Sequence, residues 1–114
     1  MMESRRIDPL LQRAQEQEDA IARALAERQR QLATQESRLE ELRRYAEEYA
    51  NAQLSSVSAA QLANRRAFLD RIDSAVQQQL KNVDNSRASV DAERARLLLA
   101  SRDKQVLEQL AASY

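Results

Sequence analysis

Apolar residues recur along the first half of the chain in alternating steps of four and three. The ladder runs Ile7, Leu11, Ala14, Glu18, Ile21, Leu25, Arg28, Leu32, Gln35, Leu39, Leu42, Ala46 and Tyr49, and only Glu18, Arg28 and Gln35 are polar. Such a spacing, held for about six heptads, predicts one continuous helix with the narrow seam of a left-handed coiled coil. Asp8 followed by Pro9 supplies an N-cap and a residue tolerated at the first helical position. The helix is therefore expected over about residues 8–53.

The pattern breaks at "QLSSVSAAQL", without glycine or proline to mark the break. Ser58 and Gln61 have the spacing of a capping box, and Val57 and Leu62 that of a hydrophobic staple. A hinge is expected at about 54–58 and a new helix at about 59–112; the alternative is one unbroken helix with Ser55, Ser56 and Ser58 exposed. The second ladder places one apolar residue every seven: Leu62, Leu69, Val76, Val83, Val90 and Leu97. Its companions Ile72, Gln79, Ser86, Glu93, Ala100 and Leu107 are more polar, so this seam is weaker. Leu97, Leu98 and Leu99 are consecutive and cannot all face one seam, so part of that cluster is expected at the surface or on a partner.

Two long amphipathic helices joined by a short link predict an all-α fold, a long antiparallel two-helix coiled-coil hairpin spanning residues 1–114. Helices of roughly 45 and 55 residues would extend about 70 and 80 Å. Composition agrees: glycine is absent, proline occurs once, and charged residues make up 32% of the chain against 4% aromatic. Ala, Gln, Glu, Arg and Leu lose little on entering a helix.

Charge and chemistry narrow the function. Lys plus Arg balance Asp plus Glu at 18 each, so no net field favours nucleic acid or an anionic membrane. Without cysteine or histidine there is no thiol chemistry, Cys/His metal site or imidazole acid or base. Phosphate-cradling glycine loops are excluded as well. Glu47 with Glu48, or Asp70 with Asp73, read as solvated helix surface rather than acid and base. The basic clusters "ESRR", "LRRY" and "NRRAF" each lie near acidic residues. The expectation is a non-enzyme with no cofactor, no metal, no nucleic-acid partner and no membrane insertion.

Two of the four aromatics, Tyr45 and Tyr49, lie one turn apart in "LEELRRYAEEY". With Leu11, Leu25, Leu32 and Leu39 at heptad position a, Tyr49 and Leu42 fall at d and Tyr45 at g. In the second helix Ile72 and Gln79 fall at d, while Phe68 and Ala75 fall at g. Like flanks face each other in an antiparallel pair. If the turn centres between Ser56 and Val57, paired residue numbers sum to about 113, setting Tyr45 opposite Phe68. Leu42, Tyr45, Tyr49, Phe68, Ile72 and Ala75 then share one strip near the hinge. Tyr49 and Ile72 are expected in the core, and Tyr45 and Phe68 on a flank that a partner could cover.

"LEELRRYAEEY" and "FLDRIDSAV", at this separation across a serine-containing hinge, resemble the flagellar export protein FliJ family over nearly the whole chain. The resemblance implies a soluble coiled-coil stalk or chaperone of the bacterial flagellar type III export apparatus, serving flagellum biogenesis and motility. Its implied partners are the hexameric export ATPase, the cytoplasmic domain of the membrane export gate, and export chaperones. The implied location is cytoplasmic, peripheral at the inner membrane. Matched position by position, the gate-binding residues would be Leu42, Tyr45 and Tyr49 on the first helix with Phe68, Ile72, Ala75 and Gln79 on the second. Tyr114 would lie inside a helix that continues in longer relatives and contributes to ATPase binding. A monomer in solution, or at most a weak dimer, is expected. The alternatives are an injectisome stalk protein and a purely structural coiled-coil scaffold.

Overall fold

The computed structural model describes residues 2–52 and 58–114, with side chains from Arg5 onward. It contains two helices, α1 (Met2–Ala50) and α2 (Ala59–Ala112). They pair as an antiparallel coiled-coil hairpin, as the two ladders predict.

Every position of the first ladder is buried or half-buried except Arg28, which is exposed. In the second ladder and its companions only Leu62 stands out, at 51% exposure. The core is a single line of mostly aliphatic side chains interrupted by buried Gln79 and Glu93, and among the described residues no large side chain is completely sealed. A two-helix seam has solvent on both flanks, so this is the packing it permits.

The chain divides into two compact units. In one, the residues up to Arg30 pair with Ala88–Tyr114, and the buried apolar residues are Ile7, Ile21, Val90 and Ala100. In the other, Gln31–Arg87, they are Leu39, Ile72 and Val83.

The helix ends depart from expectation in two places. α1 begins at Met2, and Pro9 lies inside it. Proline within a helix costs about 3 kcal/mol, but Ile7, on the seam two residues before it, is only 5% exposed. Burying an isoleucine stabilises by about 1.5–3 kcal/mol, which offsets much of that cost and favours the upstream turn staying on the seam. α1 also stops at Ala50, short of residue 53. Its last carbonyls are taken by α2: Arg65 Nη2 donates to the Ala50 carbonyl at 2.6 Å and to that of Tyr49 at 3.4 Å. A cationic side chain at a helix C-terminus both satisfies orphan acceptors and opposes the helix dipole. No described residue takes the left-handed conformation of a glycine-type stop.

The start of α2 follows the sequence. Ser58 N donates to Gln61 Oε1 at 2.9 Å, and Gln61 N donates to Ser58 Oγ at 3.2 Å. This is the reciprocal capping box. Val57, the other half of the expected staple with Leu62, lies outside the described residues, as do the other hinge positions at 54–56.

Candidate partner-binding surface

The surface is built in the Gln31–Arg87 unit, where α1 approaches its end and α2 begins. Heptad position decides what each aromatic does there. Tyr49, on the seam, is half-buried, and its ring lies 4.5 Å from that of Phe68, tilted by 49°. Tyr45, one turn earlier on the flank, meets Phe68 edge to face at 6.1 Å and 75°. Phe68 is thus held by two tyrosines at once. Edge-to-face pairs contribute about 0.5–1.5 kcal/mol beyond simple burial, so the outer ring is fixed in place although Tyr45 remains 51% exposed.

Beside this cluster a shallow groove is lined by Arg38, Glu41, Leu42, Tyr45 and Gln79. Its lining combines the apolar Leu42 and the Tyr45 ring with the Gln79 amide, one cation and one anion. Leu42 is half-buried there and Ala75 is exposed on α2. Ile72 and Gln79 are each 7% exposed and belong to the seam beneath. The structure therefore joins Tyr45, Tyr49 and Phe68 in one ring cluster, and Leu42, Tyr45 and Gln79 in one groove.

Gln79 is committed within the chain. Its Nε2 donates to the Gln35 carbonyl at 2.9 Å and to Gln35 Oε1 at 2.7 Å, and its Oε1 accepts from Asn82 Nδ2 at 3.0 Å. A buried amide left unmatched costs roughly 1–3 kcal/mol, so the two ladder interruptions, Gln35 and Gln79, satisfy each other. Gln79 can support the groove from below but has little free hydrogen-bonding capacity to offer a ligand. Arg38, one turn before the strip that the family resemblance marks, lines the groove as well, and Glu41 is a lining residue that sequence reasoning passes over. Nothing singles Glu41 out, because charged residues populate the outer faces throughout.

A second polar constellation lies in the other unit. Lys104 Nζ pairs with Glu18 Oε1 at 2.9 Å and also donates to Gln15 Oε1 at 3.2 Å, while Ser101 Oγ donates to Glu18 Oε2 at 2.8 Å. The hydrogen bonds from Lys104 and Ser101 hold the Glu18 carboxyl below its usual range, and the bond to Glu18 raises Lys104. Both side chains are about one-fifth exposed, at 18% and 22%. Lys104 occupies the ladder position seven beyond Leu97, one step past where the apolar pattern ends. Nearby on α2, Glu93 is buried, with Oε1 held by Arg96 at 3.3 Å and Oε2 without a hydrogen-bond partner.

No helix among the described residues is long and apolar enough to cross a membrane. The family model described as Flagellar FliJ protein matches residues 2–114. No curated protein and no solved structure matches the chain.

Proposed function

Because the chain belongs to the flagellar FliJ family, a component of the flagellar type III export apparatus, we propose that it is a non-catalytic coupling element binding the export ATPase and the cytoplasmic domain of the export gate. Family membership favours this reading over the injectisome alternative. The gate contact is assigned to the strip around Tyr45, Phe68 and Leu42, with Tyr49, Ile72 and Gln79 supporting it from the seam and Ala75 at its edge. The site of action is the cytoplasmic face of the inner membrane, and a role in receiving export chaperones follows from the same family reading.

One observation carries the assignment: the Tyr45 ring is fixed edge-on to Phe68 yet half exposed. Aromatic anchors that are already positioned lose little entropy on binding and are enriched among interface hot spots. The test is calorimetric titration of the gate's cytoplasmic domain with the Tyr45→Ala/Phe68→Ala double variant. The expected loss is about 2 kcal/mol, roughly thirtyfold in affinity, with helicity retained. Unchanged affinity would remove the assignment.

A further inference from the structure

Leu99 marks an apolar face that neither the seam nor the aromatic strip uses. Of the three consecutive leucines, Leu97 is half-buried in the seam, while Leu98 and Leu99 are 56% and 58% exposed. Steps of four and seven return to one side of a helix, so Ala88, Ala92, Leu99, Val106 and Leu110 share a face of α2. All five are exposed, Val106 at 61% and Leu110 at 42%.

Arg96 and Asp103 edge this face on one flank. They lie one heptad apart, roughly 10 Å along the helix axis, too far to pair with each other. Arg96 touches Glu93 instead but keeps 64% of its side chain exposed, and Asp103 has no ion-pair partner among the described residues. With Leu99, Ala100 and α1 residues Gln17 and Ile21, they line a groove.

We propose that this face binds a second copy of the chain, α2 against α2 and antiparallel, about a two-fold axis between Leu99 and Ala100. The charges fix both the occupant and the axis. In an isologous antiparallel pair like flanks meet, and the midpoint of Arg96 and Asp103 falls between Leu99 and Ala100. Each Arg96 then faces Asp103 of the second copy, twice over. The same operation sets Leu99 one residue rise, roughly 1.5 Å, from level with its own counterpart, and Val106 and Leu110 equally near Ala92 and Ala88 of the second copy, so that large side chains meet small ones. A surface complementary to itself in both charge and size is the specification for a second copy. One helix-on-helix contact falls at or below the roughly 1,200 Å² of weak transient complexes, so association in about the micromolar range or weaker is expected.

Sedimentation velocity across a concentration series, on the full chain, tests this. The wild type should pass from monomer to dimer with rising concentration. Asp103→Arg should weaken dimerisation at least about tenfold by setting Arg against Arg, and Arg96→Asp should do so by setting Asp against Asp. An equimolar mixture of these two variants should regain association, because each heterodimer restores both opposite-charge pairs. Leu99→Gln, at an exposed position, should also weaken the dimer while the circular dichroism spectrum is kept. A wild type that stays monomeric up to about 1 mM, a dimer indifferent to Asp103→Arg, or a mixture that fails to associate would each overturn the proposal.

Discussion

Gln79 reaches across the hairpin to Gln35 and donates to both its backbone carbonyl, at 2.9 Å, and its side-chain oxygen, at 2.7 Å. Each glutamine interrupts an apolar ladder, and each would be costly alone. Gln79→Ala strands the Gln35 side chain and should lower unfolding free energy by about 1–3 kcal/mol in a urea titration. Replacing both with leucine should recover that loss or exceed it, while relaxing the single register that a matched polar pair imposes. Disulfide trapping of cysteines introduced at neighbouring positions would report the looser register as additional crosslinked species.

Tyr45 and Tyr49 should separate stability from binding. Tyr49→Ala removes a half-buried ring from the seam and should destabilise by about 2–3 kcal/mol. Tyr45→Ala, at a position 51% exposed, should cost under about 1 kcal/mol while carrying most of the loss in gate affinity. Thermal melts and calorimetric titration of the same two proteins check both halves.

Glu93 is a stabilisation target. Its Oε2 is buried without a hydrogen-bond partner, so the carboxylate is only partly compensated by Arg96. Glu93→Leu would extend the apolar seam and should raise unfolding free energy by about 1–3 kcal/mol. Chemical denaturation followed by circular dichroism measures it, and a loss of stability would show that the Arg96 contact outweighs the unpaired oxygen.

The Glu18–Lys104 pair makes a pH-dependent contribution at two edges. Glu18 is lowered from its ordinary 4.5, so its contribution is present above that value and is lost as pH falls through the folded-state pKa. Lys104 is raised from 10.5, so its contribution is complete below that value and is lost as pH rises through its folded-state pKa. Between these limits the pair adds a constant. Lys104→Met should remove the pair's alkaline edge from a stability-versus-pH profile and weaken its acid edge, and Ser101→Ala should soften the acid edge alone.

The fold was legible because a seam repeats: both ladders, the capping box at Ser58 and Gln61, and the approach of Tyr45 to Phe68 all follow from local spacing and one antiparallel register. What stayed hidden depends on contacts between the helices. Nothing near Ala50 announces a helix end, since the residue that receives it, Arg65, lies on the other helix. Gln35 and Gln79 were each visible as a ladder fault, but their partnership needs the register. Lys104 sits on the ladder one heptad past Leu97 and was passed over because a polar residue there looks like the end of the seam. Of the candidate strip, the heptad letters separate seam residues from flank residues, but which flank residues line a groove depends on side-chain reach across the hairpin, and Glu41 carries no signal of its own.

Arg65 and the Ser58–Gln61 cap have a shared consequence for how this chain tolerates change. The terminus of α1 is closed by a side chain from α2, and the origin of α2 by its own first turn, so each closure hangs on residues that belong to α2 or its cap. Substitutions that keep Ser58, Gln61 and Arg65 preserve both closures, whereas loss of Arg65 alone would open the end of one helix from a position on the other.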